Sequence, residues 1–180
     1  MGVSVNFAVI KKTDTANGPG IRVSLFVSGC THGCKGCFNR EAWDFSYGQP
    51  YTAETEGEIL QALSHSYIKG FSVLGGEPME PANRGTVFGL LRKIKAAYPE
   101  KSIWCYTGYD YEKDLLRRAE EGDGTVAGLL ELIDVLVDGE FVEAKKNLRL
   151  PFRGSENQRL IDMKATKRAG YVVCLPESQR

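Results

Sequence analysis

Short apolar runs alternate with segments of helical periodicity along the chain. Four runs rich in β-branched or aromatic residues predict buried strands: Ile21–Val27, Phe71–Leu74, Ser102–Tyr106 and Val135–Val137. Three weaker runs predict further strands, at Val3–Ile10, Leu160–Met163 and Tyr171–Leu175. Since a run of this length bounded by turn residues fits a buried strand, the seven runs mark the expected positions of a sheet.

Helical periodicity fills the intervals between these runs. Thr55 and Glu58 have the spacing of a capping box, which predicts a helix start there. The apolar stripes are Ile59, Leu63 and Tyr67 in a first helix, Val87, Leu90, Leu91 and Ile94 in a second, and Leu115 and Leu116 in a third at Tyr111–Glu121. Pro99 is expected to end the second helix.

Strands that alternate with helices favour an α/β fold with a parallel sheet. A complete eight-unit barrel needs about 250 residues, and one βαβ unit takes roughly 30 residues. The chain of 180 residues is therefore expected to form a single domain, an incomplete (β/α) barrel of five or six units with an open side.

Each unusual motif begins just after a predicted strand. The motifs are Gly29-Cys30, Gly75-Gly76-Glu77-Pro78, Thr107-Gly108-Tyr109 and Asp138-Gly139-Glu140. In parallel α/β folds, binding sites are built from loops at the carboxyl ends of the strands. The four loops are therefore expected to share one site.

Charge and composition exclude several classes of function. Lys+Arg and Asp+Glu number 23 each, so the formal net charge is zero and nothing favours a nucleic-acid partner. No apolar run is long enough to span a bilayer, and Met1–Asn6 lacks the basic-then-apolar pattern of a secretory signal. We therefore expect a cytoplasmic protein, a setting in which disulfides are rare.

Three of the five cysteines crowd into one loop, at Cys30, Cys34 and Cys37. Thiolates this close predict a metal centre rather than a disulfide framework. A [4Fe–4S] cluster on three cysteines would keep one iron open, because such clusters usually have four cysteine ligands. A zinc site with His32 as the fourth ligand and three unrelated buried cysteines are the alternatives. Cys105 and Cys174 lie in apolar runs and are expected to be core residues.

The C-x3-C-x2-C spacing resembles the signature of the radical S-adenosylmethionine superfamily. The segments Asn17–Arg22, Leu25–Cys30 and Cys37–Asn39 resemble motifs of glycyl-radical-enzyme activases. Three others, Ile103–Trp104 with Thr107–Tyr109, Val135–Phe141 and Phe152–Arg159, resemble the branch of those activases that serves anaerobic ribonucleoside-triphosphate reductase. The resemblance covers about residues 17–159 and leaves the tail, about 164–180, without a match.

The resemblance implies a radical S-adenosylmethionine fold, an oxidoreductase activity and two cofactors, one [4Fe–4S] cluster and S-adenosylmethionine. Cys30, Cys34 and Cys37 would hold the cluster. Gly36, Cys37, Phe38, Gly75, Gly76, Glu77 and Asp138 would contact S-adenosylmethionine. Gly36 departs from the broad superfamily, where an aromatic residue often precedes the third cysteine, and this leaves the packing against adenine to Phe38.

The implied partners are the reductase, which would receive a glycyl radical, and a low-potential electron donor such as flavodoxin. Neither nucleic acid nor a membrane is expected. One alternative is a small radical enzyme that acts on a small molecule, as 7-carboxy-7-deazaguanine synthase does. Another is a non-enzymatic iron–sulfur or zinc module.

Several polar and aromatic residues have two interpretations each. Arg22 is a cation on an apolar strand, either in a structural ion pair or in the cleft. Trp104, Tyr106 and Tyr109 are expected as core and wall, and the alternative is that they form an aromatic box around a cofactor. The segment Arg153–Arg159 is either a surface loop or a loop that closes over the cofactor or the partner.

Overall fold

A computed structural model describes residues 5–176 of the chain and shows one mixed sheet of seven strands. The strands are β1 (Asn6–Asp14), β2 (Ile21–Val27), β3 (Gln49–Pro50), β4 (Ile68–Gly75), β5 (Ser102–Tyr106), β6 (Val135–Asp138) and β7 (Arg159–Asp162). Their order across the sheet is β3-β1-β2-β4-β5-β6-β7. The predicted strand at Val3–Ile10 begins outside the described residues, and β1 extends to Asp14.

The four central strands, β2, β4, β5 and β6, are parallel, and helical crossovers connect them. β1, β3 and β7 pair antiparallel at the two sides. The prediction of an α/β fold with a parallel sheet is therefore confirmed for its centre. The expected five or six parallel units are not found in the described residues, because both outer parts of the sheet run antiparallel.

Five α-helices accompany the sheet in the described residues: α1 (Ala53–Leu63), α2 (Arg84–Ala97), α3 (Arg117–Glu120), α4 (Gly124–Leu132) and α5 (Met163–Ala169). A π-helical segment at Tyr111–Leu116 precedes α3. The predicted third helix is therefore present, but its first part is π-helical and only its end is α-helical. The predicted second helix is confirmed as α2, which ends before Pro99.

The capping box of α1 lies one turn earlier than predicted. Thr52 is the N-cap, and its side chain and that of Thr55 each accept from the other residue's backbone N–H. Thr55 is therefore a helical residue, and the Thr55–Glu58 assignment was wrong. The helix ends at Leu63, so Tyr67 lies beyond it and stacks on His65 instead of extending the buried stripe.

Alternate residues of the parallel strands face the helices and form the main core. From the strands these are Val23, Leu25 and Val27, Phe71 and Val73, Ile103 and Cys105, and Leu136; from the helices they include Ile59, Leu63, Val87, Leu90, Leu91 and Ile94. The opposite face carries a smaller cluster of Trp104, Val135, Val137, Leu160 and Leu175. Alternation along a strand separates these two sets of side chains, and the second face is free of the crossover helices.

Arg22 lies fully buried on this second face. Its guanidinium donates to Ser72 Oγ at 2.8 Å and to the carbonyls of Phe71 and Ser102 at 2.8 and 2.9 Å, and it lies over the Trp104 ring. Burial lowers its pKa to about 10. Among the described residues no carboxylate pairs with it, and it does not line the cavity described below, so Arg22 cross-links β2, β4 and β5 instead of filling either expected role.

The C-terminal part packs on β7. α5 follows this strand, and the predicted strand Tyr171–Leu175 contributes only a bridge between Ile161 and Cys174. Residues 177–180 of the tail lie outside the described residues. No helix in the described range is both long enough and apolar enough to cross a membrane.

Candidate metal and cofactor site

A cavity of about 480 Å³ opens at the carboxyl edge of the parallel strands, a size typical of small-molecule sites. Loops that follow all four parallel strands line it, as their positions after the predicted strands indicated. From the predicted site residues it is lined by Cys30, Cys34, Gly36, Cys37, Phe38, Gly75, Gly76 and Glu77. Asp138 is not among its lining residues.

The cysteine loop uses glycines at its turns. Gly29, Gly33 and Gly36 have φ values of 98°, 64° and 75°, a region that other residues rarely adopt. A side chain at Gly29 would overlap the Phe45 ring, and one at Gly36 would come within 2.8 Å of Glu143 Oε1. The glycines therefore allow both the turns and the close approach of neighbouring segments.

Buried polar side chains from the segment after β4 hold the start of the cysteine loop. Glu80, 4% exposed, accepts from both the backbone N–H and the hydroxyl of Thr31. Asn83, 1% exposed, donates to the carbonyls of Ser28, Gly29 and Glu77 at 2.9–3.3 Å. These contacts fix the backbone on both sides of Cys30.

His32 connects the cysteine loop to two other loops. Its Nε2 lies 2.9 Å from the Glu77 carboxylate and its Nδ1 lies 2.8 Å from Glu140. The hydrogen bonds to Glu77 and to Glu140 outweigh burial and raise the pKa of His32 to about 9. Glu77 also accepts from the N–H of Gly108 and of Met79, so its carboxylate links the loops after β2, β4 and β5.

The arrangement does not favour a single zinc ion on the three thiols and His32. Sulfur atoms around one zinc lie about 3.8 Å apart, given Zn–S bonds of about 2.3 Å and tetrahedral geometry. In the part of the chain that is described, the only three potential ligands within 4.8 Å of one another are Asp110, Glu112 and Asp138. At least one pair of the three thiol sulfurs is therefore more than 4.8 Å apart, and His32 uses both ring nitrogens on carboxylates. Neither observation favours one zinc ion held by the three sulfurs and His32.

The cysteines of the loop are free thiols, and burial raises the pKa of Cys30 to about 12 and that of Cys34 above its usual range. Cys105 is fully buried in the main core, and burial raises the pKa of its thiol well above the ordinary value. The expectation that Cys105 is a core residue is confirmed. Cys174 is only partly buried, and its backbone forms an isolated β-bridge with Ile161 of β7.

Gly75 and Gly76 bring the β4 loop against the base of the cysteine loop. The N–H of Gly76 donates to the Val27 carbonyl at 2.7 Å, and that of Glu77 donates to the Gly29 carbonyl at 2.8 Å. A Cβ on Gly76 would come within 2.6 Å of the Gly29 carbonyl oxygen. This close approach leaves backbone groups of the loop facing the cavity. Phe38 lies at the cavity rim with 86% of its surface exposed.

Asp138 belongs to a neighbouring cleft, where its carboxylate already has protein partners. It is 1% exposed and accepts from the N–H of Tyr111 and from the guanidinium of Arg159. Arg159 also donates to Glu112, so its guanidinium lies among the carboxylates of Asp110, Glu112 and Asp138. Register explains the contact, because Asp138 and Arg159 are paired residues of β6 and β7.

The segment from Phe152 to Arg159 closes one side of the cavity and is not a free surface loop. Gln158 accepts from the N–H groups of Gly154 and Ser155 and donates to the Gly139 carbonyl. Phe152 packs edge-on against Trp104 with 5.4 Å between the ring centres. Tyr106 lines the cavity and Tyr109 contacts His32 edge-on, in agreement with their expected role as wall residues.

Sequence reasoning missed two residues that fix the loop rather than line it, Glu80 and Asn83, and gave Glu140 no role beyond its place in a site motif. The one available signal was the concentration of polar residues directly after Gly75-Gly76. Their function depends on which carbonyls and N–H groups face them, and only the packed structure provides that information.

Comparison with known proteins identifies the family. The model of a 4Fe-4S single cluster domain matches residues 16–161. Anaerobic ribonucleoside-triphosphate reductase-activating proteins are similar over most of the chain: that of Vibrio cholerae is 43% identical, over 86% of this chain and 96% of its own length. Those of Enterobacteria phage T4 and Escherichia coli are 41% and 40% identical, over 87% and 86% of this chain and 93% and 96% of their own lengths. With an iron–sulfur domain model and relatives of this similarity in agreement, the chain belongs to the family of anaerobic ribonucleoside-triphosphate reductase-activating proteins.

Proposed function

We propose that the protein is a radical S-adenosylmethionine enzyme that installs a glycyl radical on anaerobic ribonucleoside-triphosphate reductase. One observation carries the proposal: the three thiols and the glycine loop after β4 line the same cavity, which has room for a small molecule beside the cysteine loop. The family assignment and the names of the relatives support the choice of partner.

Cys30, Cys34 and Cys37 would hold a [4Fe–4S] cluster with one iron open to the cavity. When bound, such a cluster would supply one electron for cleavage of S-adenosylmethionine to methionine and a 5′-deoxyadenosyl radical, and a hydrogen atom taken from a glycine Cα would end in 5′-deoxyadenosine. A low-potential donor such as flavodoxin would provide the electron.

The protein's own residues would position the cofactor and limit access of water. Backbone groups at Gly75 and Gly76 can approach the methionine part of the molecule, since neither residue has a side chain in the way. Glu77 supports this loop through its bonds to Gly108 and Met79. Phe38 offers a flat apolar face to adenine at the rim, beside Gly36.

The second face of the sheet is consistent with the wall of an incomplete barrel of radical S-adenosylmethionine type. No crossover helix of the described residues contributes to its cluster, and the cavity is lined by Leu74 and Tyr106 of this face and by Phe152, which packs against it. The proposed cofactor contacts do not include Asp138, because the Tyr111 N–H and the Arg159 guanidinium already bond to its carboxylate.

The test is electron paramagnetic resonance of the purified reductase after incubation with the cluster-loaded protein, S-adenosylmethionine and a reductant. The expected result is a glycyl radical signal that depends on all three additions. Absence of the signal, together with conversion of a pterin-like small molecule, would reject the reductase as substrate. The 7-carboxy-7-deazaguanine synthase-like alternative would then be favoured.

A further inference from the structure

The two most exposed large apolar side chains of the described residues both lie at the mouth of the cavity. Phe38 and Leu148 are each 86% exposed, and both line the cavity that contains the three cysteines. The next most exposed, Tyr171 at 70%, does not line it. Single exposed apolar residues are common on protein surfaces, but a pair at the rim of one cavity marks that rim as a candidate contact surface.

Leu148 lies on a loop that is held at its base. Lys146 and Ser155 form an antiparallel bridge there, and the N–H of Asn147 donates to the Gly154 carbonyl at 3.1 Å. Ser155 is fully buried. The loop therefore presents Leu148 to solvent from a fixed position beside the cavity.

The same loop is basic. Lys145, Lys146 and Arg149 are exposed, and within residues 5–176 none of them forms an ion pair. Across the rim, Lys35 is already paired with Glu143 at 3.2 Å. Because the whole chain has a formal net charge of zero, three unpaired cations on one loop give this side of the cavity a local positive potential.

We propose that Leu148, the three cations Lys145, Lys146 and Arg149, and the part of Phe38 that adenine does not cover form the docking surface for the reductase. This inference rests on the proposed function. A radical formed inside the cavity can reach a glycine of a large protein only if a segment of that protein enters the mouth, and the rim is then covered. The rim chemistry predicts a partner surface with an apolar centre and acidic residues beside the glycine-bearing segment.

Two properties of binding follow from this composition. Attraction between exposed charges is screened by salt, so the affinity for the reductase should fall as ionic strength rises. Burial of Leu148 and Phe38 contributes regardless of salt, so part of the affinity should persist. Loss of both contributions should weaken docking far more than the same chemical changes elsewhere on the surface.

The test uses the cluster-loaded protein and the anaerobic reductase of the same organism, with the dissociation constant measured by biolayer interferometry under anaerobic conditions. The rim variant is the double substitution Leu148→Ser with Arg149→Glu. The matched control is Tyr171→Ser with Lys164→Glu, which makes the same kinds of change at exposed positions outside the cavity. Iron content and melting temperature verify that each variant is folded and loaded.

The rim variant is expected to bind at least ~10-fold more weakly than the wild type, equivalent to about 1.4 kcal/mol, and the control less than ~2-fold more weakly. Salt should weaken the wild type more than the rim variant. Equal affinities for the rim variant and the control would overturn the inference, and so would a wild type that does not bind the reductase. A wild type that binds but yields no glycyl radical would instead contradict the proposed function.

Discussion

Asn83 is the side chain that holds most of the backbone at the start of the cysteine loop. Its amide donates to three carbonyls, those of Ser28, Gly29 and Glu77. Asn83→Ala is expected to lower the free energy of unfolding by about 2–3 kcal/mol, because buried acceptors would lose their donor. Urea denaturation of the cluster-free protein measures this change.

The matched control is Gln61→Ala, at an exposed position of α1, which should change the free energy of unfolding by less than about 0.5 kcal/mol. A loss in Asn83→Ala no larger than that in Gln61→Ala would show that the loop is held by other contacts. Iron bound after reconstitution should also fall in Asn83→Ala alone.

The carboxyl group of Asp14 makes the stability of the fold depend on pH, at a position away from the cysteines. Burial by itself would raise its pKa, but the neighbouring Ser24 hydroxyl, hydrogen bonds from Asn17 Nδ2 and the Ala16 N–H, and the charge of Lys11 together outweigh burial, so the pKa is lowered. A carboxylate with a lowered folded-state pKa stabilises the fold above its ordinary pKa of 3.8. That contribution is lost as the pH falls through the folded-state value.

Asp14→Asn should therefore be less stable than the wild type near neutral pH, and the difference should shrink as the pH falls from about 6 to about 3. Urea denaturation at these two pH values measures the difference. A difference that stays constant over this range would contradict the role assigned to the Asp14 carboxylate.

At the level of single residues, the cysteines and the glycine loop could be predicted because their spacing is written in the sequence. The roles of Arg22 and Asp138 could not. Arg22 is satisfied by Ser72 and by two carbonyls of neighbouring strands, and Asp138 by an arginine across the sheet. Hydrogen bonds between distant segments leave no periodic signal in the sequence.

The contact between the β4 loop and the cysteine loop requires a residue without a side chain at Gly76. Gly76→Ala would place a Cβ within 2.6 Å of the Gly29 carbonyl oxygen, so the two loops must separate. The expected cost is about 1–3 kcal/mol of stability, with a matching loss of iron bound per chain. Thermal unfolding and an iron assay measure the two effects.

Gly57→Ala is the control, because this exposed glycine in α1 has no atom within 4 Å of the added Cβ. It should stabilise the protein by roughly 0.5–1 kcal/mol, since alanine is the better helix former. If Gly76→Ala proved as stable and as well loaded as Gly57→Ala, the close packing of the two loops would not be required.

Among the elements, buried strands were the easiest to predict. β2 and β5 have the predicted bounds, because each is a short apolar run between turn residues. α4 was missed although Val126, Leu129 and Leu130 form a buried stripe at helical spacing and Asp123 caps the helix by accepting from the Val126 N–H. Its Gly128 packs against the Phe88 ring, a contact between helices that periodicity does not reveal.

For the whole molecule, the shared site could be predicted from the order of elements alone. Parallel strands bring their carboxyl ends to one edge, so motifs that follow consecutive strands must meet there. The antiparallel strands at both sides could not be predicted in the same way, because single apolar runs carry no information on direction. β7 in particular brings Arg159 to Asp138, so that carboxylate is bonded to an arginine and does not line the cavity.

The central claim, three cysteines holding a cluster that cleaves S-adenosylmethionine, is tested most directly by one measurement. The protein is reconstituted anaerobically with iron and sulfide, reduced, and assayed for 5′-deoxyadenosine formed from S-adenosylmethionine. Wild type and Cys105→Ala should bind a [4Fe–4S] cluster and form the product, because Cys105 lies in the core. Alanine variants of Cys30, Cys34 and Cys37 should form none. Product from any of these three, or its loss in Cys105→Ala through failure to bind the cluster, would contradict the account.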